Sequence, residues 1–443
     1  MLVVALLGTL LLQLGPSPKA PNVLVVVLDD VGASERALMP ALADLAATGL
    51  EFTRFYAWPV CSPTRYAGLS GRYPRRAGIG DVINAHNSNT GASPPPDRRD
   101  VLLPEALKPT HRTALIGKWH LGRASVGQRE DLLAVTESGP FVSGFDDWLA
   151  GNPNSVAQPP NISSGYYDWY RVDNERVRPS HTTYATAAQR DELVAWIGAQ
   201  SEPWFAWFAP NAAHAPYDPP PGTRSTGSER GDYLQVLAYL DEALVEVLAA
   251  VDLDETLVLV FGDNGTPDGA RPLGTPSGFW KGTTHEGGIR VPLLVAGPGV
   301  RQGVSSRLVS ALDLGPTILE ILGTPSRGFD DGRSFADELG GWSGTAARTW
   351  LFSERYDTPG GVQPEGYDDQ AFVEGPTVYP GTQTKVLLKR RIVDADGIGP
   401  GGPADLLYDL GSDPDERAPG LFSRAPSAIR QRFAQYAAAL PAR

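Results

Sequence analysis

Residues 21–30 read PNVLVVVLDD. This β-branched run has no polar face, which is typical of a strand buried on both sides in a parallel sheet. The next segment, ERALMPALADLAATG at 35–49, has helical spacing and a terminal glycine. A buried strand that leads directly into a helix predicts an α/β fold.

The same alternation continues along the chain. Further strands are predicted in the segments TALI (113–116), WFAWF (204–208), TLVLVF (256–261) and VPLLVA (291–296). Helices are predicted in DELVAWIGAQ (191–200) and GDYLQVLAYLDEALVEVLAAV (231–251). Strands that alternate with helices predict a parallel sheet covered on both faces. We expect exposed loops at 86–100 and 215–231.

After about residue 345 the pattern changes. Two predicted strands, RTWLFSERY (348–356) and TKVLLKRRIV (384–393), are separated by segments rich in glycine and proline. The final segment, SAIRQRFAQYAAAL at 427–440, predicts a helix. The sequence therefore predicts a smaller C-terminal α+β subdomain over 345–443.

The amino terminus predicts export. Residues 1–15 read MLVVALLGTLLLQLG, an apolar run too short to span a bilayer, and a small residue, Ala20, ends the PSPKA segment that follows. This predicts a signal peptide over 1–20 and a periplasmic or secreted protein, although the usual positive n-region is absent. A buried N-terminal strand is the alternative. No other stretch has membrane length, so no stable membrane span is expected.

Composition limits the partners. The 443 residues carry a net charge of −13, with a pI near 5.0, which makes nucleic acid and anionic membranes poor partners. An anionic small substrate would need a locally basic pocket. One cysteine excludes an internal disulfide.

Polar residues follow the predicted strands, at the edge where open α/β sheets bind ligands. They are Asp29 and Asp30, Lys118 and His120, His214, and Asp263 and Asn264. The oxygen ligands among them suit a hard cation, Ca²⁺ or Mg²⁺. The alternative is solvated aspartates at strand ends.

The single cysteine stands in PVCSPTRYAGLSGRYP, residues 59–74. Ser62 and Pro63 suit the start of a helix and Gly71 suits its end, which would place Cys61 at a helix N-terminus with Arg65 one turn on. A lone cysteine is more often a small buried hydrophobic residue.

The basic candidates suit a tetrahedral oxyanion such as sulfate or phosphate, opposite a metal. They are Arg65, Lys118, His120, His214 and Lys281. Each basic residue alone would more often be a solvated surface residue.

The chain resembles the sulfatases of the alkaline phosphatase superfamily from Asn22 to about Ala418. The segments that carry the resemblance are CSPTR (61–65), GKWHLG (117–122), HAP (214–216), GDNG (262–265) and KGTTHEGGIRVPLLVAGPG (281–299), together with LLYDLGSDPDE (406–416). The resemblance implies an alkaline phosphatase-like fold, in which a large mixed, mostly parallel sheet is sandwiched by helices, with a sulfatase catalytic domain over 21–344.

The resemblance also implies a chemistry. Cys61 would be oxidised to formylglycine by a separate formylglycine-generating enzyme, and the hydrated aldehyde would attack sulfur and then expel sulfate. Ca²⁺, or Mg²⁺, would be held by Asp29, Asp30, Cys61, Asp263 and Asn264. His120 would act as the base that releases sulfate, and Asp263 would assist deprotonation of the nucleophile.

The remaining implied roles concern the substrate, an aryl sulfate or a sulfated sugar. Arg65, with the metal, would hold the nucleophile and polarise the sulfate oxygens, and Lys118 would add positive charge to the pocket. His214 and Lys281 would bind the sulfate and protonate the leaving oxygen. A further polar contact would come from Asn152, Asn154 or Ser155, of which we select Asn154, and from His285, where many relatives have an aromatic residue. Trp148, Tyr166, Tyr167 and Trp169 are candidates for stacking on a sugar or aryl ring, with core packing as the alternative.

Two other functions stay open at this point. A phosphonate or phosphate ester hydrolase on the same fold is the nearest rival, since some of those also carry the Cys-x-Pro-x-Arg pattern. An inactive binding protein is the rival from another class. It should have lost Cys61, Arg65, Lys281 or a metal carboxylate, and this chain retains all of them.

Overall fold

The computed structural model describes residues 21–83, 99–122, 139–156, 165–174, 176–356, 367–374, 384–391, 406–410, 416, 420–421 and 427–441. The strands are β1 Asn22–Leu28, β2 Leu50–Phe52, β3 Phe55–Tyr56, β4 Arg112–Lys118, β5 Asp147–Asn152, β6 Trp169–Asp173, β7 Arg176–His181, β8 Trp204–Ala209, β9 Thr256–Gly262, β10 Leu293–Ala296, β11 Gly303–Ser305, β12 Val309–Ser310, β13 Trp350–Tyr356, β14 Tyr367–Glu374, β15 Thr384–Arg391, β16 Leu406–Asp409 and β17 Gly420–Leu421. The helices are α1 Pro40–Thr48, α2 Cys61–Ser70, α3 Leu103–Leu107, α4 Ala185–Gly198, α5 Glu229–Ala249, α6 Glu286–Ile289, α7 Leu314–Ile321, α8 Ala336–Leu339 and α9 Ser427–Ala439.

The large sheet confirms the mixed, mostly parallel prediction. Its strand order is β11-β2-β10-β9-β1-β8-β4-β5-β6-β7. The run β9-β1-β8-β4-β5 is parallel throughout, whereas β10 is antiparallel to both of its neighbours and β6 is antiparallel to β5 and β7. The carboxyl ends of β1, β4, β8 and β9 therefore meet at one edge.

The strand β1 explains why helices cover both faces of the sheet. Successive side chains of a strand point to opposite faces. Val23, Val25 and Val27 pack in the core that contains residues of α2, α3, α7 and α8. Leu24 and Val26 pack in the second core, with residues of α1, α4 and α5. The uniformly apolar run in β1 is needed because both faces are buried.

A second, antiparallel sheet has the order β13-β14-β15-β16-β17. The helix α9 packs on it, with Trp350 stacked on Tyr436 at a centroid distance of 4.7 Å. Arg75 of the large domain donates two hydrogen bonds to the Glu354 carboxylate of β13, at 2.7 and 2.8 Å. These elements form the predicted smaller α+β unit. The boundary placed at residue 345 stays a prediction.

The remaining predictions concern the amino terminus, two loops and membrane spans. The predicted signal peptide at 1–20 and residues 86–98 of the first predicted loop lie outside the described residues. The loop predicted at 215–231 ends earlier, because α5 begins at Glu229 and the Ser228 side chain accepts a hydrogen bond from the Gly231 amide. None of the helices in the described ranges is long and apolar enough to cross a membrane.

Gly117 permits the close approach of two strands next to the predicted site. Its φ is +97°, and the pairing of β4 with β5 shifts register between Ile116 and Lys118. A Cβ at this position would lie 2.2 Å from the carbonyl oxygen of Ala209 in β8. Only glycine adopts this conformation without strain, so it is the residue that lets β4 deliver Lys118 at the sheet edge.

We expect Gly117→Ala to lower the free energy of unfolding by about 3 kcal/mol, because the methyl group would clash with backbone and φ would be strained. Urea denaturation of the purified protein measures this change. Gly198→Ala, at the end of α4, is the matched control. A Cβ there meets nothing within 4 Å, and we expect a gain of about 0.5–1 kcal/mol. Wild-type stability of Gly117→Ala would contradict this account of β4.

Candidate active site

Four neighbouring strand ends and one helix start bring the predicted polar residues together. Asp29 and Asp30 follow β1, and Asp263 and Asn264 follow β9; each of the four side chains is at most 1% exposed. Asp263 Oδ1 accepts a hydrogen bond of 3.3 Å from the Asp30 amide. Burial of three carboxylates within contact distance requires positive charge nearby.

Three cations supply that charge. Lys118 Nζ lies 2.6 Å from Asp29 Oδ2. Arg65 Nη2 lies 2.8 Å from Asp263 Oδ2 and 3.5 Å from Asp29 Oδ2. The third cation, Lys281, donates to Asp30 Oδ1. Each carboxylate therefore has a cationic partner.

The pKa values of Asp29 and Asp263 are shifted in opposite directions. Burial by itself would raise the pKa of Asp29, but the neighbouring cations, Lys118 first, hold that pKa well below its usual range. Burial and the adjacent charge of Asp29 raise the pKa of Asp263 to about 6. Of these two carboxyl groups, Asp263 is the one able to exchange a proton near neutral pH.

Cys61 lies between opposite charges. Its Sγ is 3.6 Å from Asp29 Oδ1 and 3.6 Å from Lys118 Nζ. Burial, followed by the charge of Asp263, raises the pKa of the thiol well above its usual range despite Lys118. The encoded thiol is therefore protonated and is a poor nucleophile. Cys61 does lie at a helix N-terminus, as predicted, but this position does not activate the sulfur.

The predicted helix start was misplaced. α2 begins at Cys61 itself, with Val60 at the N-cap, so Ser62 and Pro63 lie inside the first turn. The Ser62 hydroxyl instead donates to the His120 carbonyl at 2.8 Å and accepts from the Ile83 amide at 2.9 Å. Both partners lie outside α2, and Ser62 does not occupy the N-cap position. Gly71 ends the helix as predicted, with φ +60°.

The two site histidines have different surroundings. His120 is 4% exposed, and within the described part of the chain neither of its ring nitrogens has a hydrogen-bond partner. Burial and then Lys118 lower the pKa of His120 well below its usual value. His214 Nδ1 lies 2.7 Å from the Ala215 carbonyl, so it carries a hydrogen, and Nε2 faces Asp30 Oδ2 at 4.0 Å. Burial and then Lys281 lower the pKa of His214.

The oxygen-rich side of the site fits a hard cation. The Asn264 amide nitrogen donates to Asp30 Oδ1 at 2.8 Å and to the Gly265 carbonyl at 3.0 Å. Its buried oxygen has no partner among the described residues, which leaves an acceptor free for a metal. Ligand atoms of Asp29, Asp30, Cys61 and His214 lie within 4.8 Å of one another. The sequence placed His214 at the same sheet edge, but as a catalytic residue and not among the metal ligands.

Two predicted substrate residues lie at the edge of this arrangement. Asn154 is half-buried and follows Pro153, whose carbonyl accepts from the His120 amide at 2.9 Å. His285 is 2% exposed, and its Nδ1 lies 2.8 Å from a Glu416 oxygen. Lys385 contacts the same Glu416 carboxylate at 2.8 Å. His285 thus joins a buried cluster with the C-terminal unit, and its role with the substrate stays a prediction, as does that of Asn154.

The other open choices separate by burial. Asn152 is fully buried and bonded to Asn211, and Ser155 is 6% exposed. Among the aromatic candidates, Trp148, Tyr166 and Trp169 are at most 1% exposed, which fits the packing alternative. Only Tyr167 of that set presents a ring to solvent, with 42% exposure.

Comparison with known proteins gives a consistent picture. A family model described as Sulfatase matches residues 21–324. N-acetylgalactosamine-6-sulfatase from Homo sapiens is 30% identical over 463 residues, which cover 92% of this chain and 83% of the relative. Arylsulfatase A from Homo sapiens is 28% identical and covers 90% of this chain and 83% of the relative.

Solved structures share the fold. The structure of Ps i-CgsB in complex with k-i-k-neocarrahexaose superposes with a TM-score of 0.72 at 23% identity, over 95% of this chain and 92% of the other. A structure solved in complex with its substrate D-glucosamine-2-N,6-O-disulfate gives a TM-score of 0.68 at 16% identity, over 95% and 97%. At these identities the likeness extends to the fold.

Proposed function

The chain belongs to the sulfatase family of sulfuric ester hydrolases, and we propose that it hydrolyses a sulfated sugar through formylglycine at position 61 and a bound divalent cation. The observation that carries the proposal is the position of Cys61, at the start of α2 and 3.6 Å from both Asp29 and Lys118. A buried, protonated thiol at the centre of a charged site has no evident use as encoded. Its conversion would give the position a function.

Formylglycine, once hydrated, would supply two hydroxyl groups on one carbon, one to attack sulfur and one to expel sulfate. The chain's own groups surround that position. Lys118 and Arg65 would bind the sulfate oxygens and stabilise charge that develops on them. Asp263 lies beside Arg65, whose Nη2 is 2.8 Å from Asp263 Oδ2, and it would assist deprotonation of the attacking hydroxyl.

The metal would be held by the oxygen ligands Asp29, Asp30, Asp263 and Asn264, together with position 61. Oxygen donors favour Ca²⁺, with Mg²⁺ as the alternative. Such an ion, when bound, polarises a sulfate oxygen and lowers the repulsion between the carboxylates. The free, buried oxygen of Asn264 is the feature of this chain that supports it.

The remaining proton transfers are assigned to His120, Lys281 and His214. His120 is neutral, because burial and Lys118 lower its pKa, so it can accept the proton of the hydroxyl that expels sulfate. Lys281, in contrast, is positively charged. Burial disfavours its ammonium form, but Asp30 beside it raises its pKa above the usual range. Lys281, assisted by His214, would bind the sulfate and protonate the leaving oxygen.

The substrate class is proposed from the relatives. The N-acetylgalactosamine-6-sulfatases that match this chain are named for a sulfated amino sugar, so sulfated sugars are the first class to test and aryl sulfates the second. A formylglycine-generating enzyme is the proposed maturation partner. The proposed periplasmic or secreted location rests on residues 1–20, which lie outside the described ranges.

If Cys61 is converted, the tryptic peptide Phe55–Arg65 will be lighter than encoded by the change from thiol to aldehyde, and it will react with hydrazides. Mass spectrometry of protein made with the modifying enzyme measures this. The same preparation of Cys61→Ala is the control and should be inactive. Full activity with an entirely unmodified thiol would falsify the formylglycine mechanism.

We expect elemental analysis to find about one Ca²⁺ or Mg²⁺ per chain. Asp30→Ala and Asp263→Ala should abolish turnover and lose the bound metal, because each removes an oxygen ligand. Thermal unfolding should occur at a lower temperature after chelation, since an ion that binds only the native state stabilises that state. Asp254→Ala, at an exposed aspartate, is the control. Undiminished activity in chelated, metal-free protein would refute the assignment.

A panel of matched aryl sulfate, phosphate and phosphonate esters tests the reaction class through kcat/KM. We expect the sulfate to be hydrolysed best, because a single hard ion with fixed cations suits a singly charged ester. His214→Ala and Lys281→Ala should lose most with the poorest leaving group, where protonation contributes most. A preference for phosphate or phosphonate would move the chain to the rival function and leave the fold and metal proposals standing.

A further inference from the structure

We propose that three buried amide side chains, those of Asn152, Gln189 and Asn211, form a positioning device that sets the two site histidines relative to each other. We call them the amide cluster. The inference rests on the proposed function, because it gives the histidines their roles in the reaction. None of the three cluster residues is assigned a chemical step.

The amide cluster joins three elements of the large domain. Asn152 ends β5, Gln189 lies in α4, and Asn211 follows β8, and all three side chains are fully buried. Gln189 Nε2 donates to Asn211 Oδ1 at 2.7 Å, and Gln189 Oε1 accepts from the backbone N–H of Asn211 at 3.1 Å. Asn152 and Asn211 exchange hydrogen bonds between their side-chain amides. Such a satisfied, buried network is rigid, because losing one member leaves polar groups unpaired.

Backbone hydrogen bonds connect Asn152 of the amide cluster to the segment that carries His120. The Asn152 carbonyl accepts from the Trp119 amide at 3.0 Å, and the next carbonyl, that of Pro153, accepts from the His120 amide at 2.9 Å. On the other side, Ser62 donates to the His120 carbonyl at 2.8 Å. His120 has φ +60°, a conformation that non-glycine residues keep only when their surroundings impose it.

The His120 ring depends on this backbone placement. Within the described ranges neither ring nitrogen has a hydrogen-bond partner that would orient it. The imidazole is therefore placed by its own backbone and by packing. A shift of residues 152–153 would move the ring directly.

A second backbone hydrogen bond connects Asn211 of the amide cluster to His214. The Asn211 carbonyl accepts from the His214 amide at 2.9 Å. The Tyr166 hydroxyl reaches the same Asn211 carbonyl at 2.8 Å and the His214 carbonyl at 2.7 Å. The turn that carries His214 is thus fixed at the residue whose side chain is the centre of the amide cluster.

Asn211 takes part in both connections, since its side chain bonds to Asn152 and its carbonyl to the His214 amide. A substitution of Asn211 or of its partners would therefore move both imidazoles together. A displacement of about 1 Å can cost roughly 100-fold in rate when it separates groups that must act on one substrate. A cluster that served only the stability of the fold would not change the histidines selectively. This difference decides the experiment.

The probe is Gln189→Met, which keeps the length of the side chain and removes its hydrogen bonds. We expect kcat for a sulfate ester to fall by about 10- to 100-fold, with KM changed by less than about threefold. Thr186→Val is the matched control, because Thr186 lies one turn away on α4, is fully buried, and has no partner for its hydroxyl in the described structure. Thr186→Val should keep the wild-type kcat.

A conservative variant gives the rescue. Gln189→Glu keeps the shape of the side chain, and a buried glutamic acid stays protonated and offers one donor and one acceptor. It should recover most of the kcat lost in Gln189→Met. Asn152→Leu offers a second route if Gln189→Met does not fold, since it nearly keeps the volume and removes the side-chain hydrogen bonds to Asn211.

A second readout does not depend on activity. In protein labelled with ¹⁵N at histidine, the ring signals of His120 and His214 should both shift in Gln189→Met, while those of His111 and His181 stay in place. Assignments come from His120→Ala and His214→Ala. If the wild type hydrolyses no sulfate ester, the proposed function fails and these signals still test the positioning device. Unchanged His120 and His214 signals, equal shifts at all histidines, or wild-type kcat in Gln189→Met would each overturn the inference.

Discussion

Three carboxylates are buried side by side at the carboxyl ends of β1 and β9, and this is possible only because cations from other segments lie between them. Asp29, Asp30 and Asp263 are at most 1% exposed. Their partners come from β4, from α2 and from the turn before α6. A buried charge without its partner is costly. The ion pairs therefore fix the mutual positions of segments that are far apart in sequence, and the chemistry depends on that arrangement.

Unusual backbone conformations accompany these charges. Asp30 and His120 both have positive φ, +64° and +60°, and Gly117 has φ +97° next to Lys118. Strained residues of this kind persist when the surrounding structure holds them in place. Here the hydrogen bonds at strand ends do so. In the described ranges five non-glycine residues have positive φ, and two of them, Asp30 and His120, belong to this site.

The C-terminal unit contributes to the site indirectly. Lys385 of β15 is fully buried and contacts both Glu286 and Glu416, and Glu416 also contacts His285. These residues hold the start of α6, a few positions after Lys281. A buried pair of this type gives little net stability but specifies one arrangement of the two sheets. The turn that carries Lys281 is thus bounded by the Asp30 carboxylate on one side and by the C-terminal sheet on the other.

The sequence alone predicted the α/β fold, a sheet covered on both faces and the edge at which the polar residues gather, because apolar runs and strand ends are local patterns. It also identified the residues of the charged site through short motifs. It misplaced the start of α2 and could not show that the Cys61 thiol is protonated, since burial and the charges of distant residues determine that. The contact between His285 and Glu416, and the amide cluster of Asn152, Gln189 and Asn211, arise from segments tens of residues apart. Only the tertiary structure decides such contacts, because nothing in the local sequence records which buried polar groups will meet.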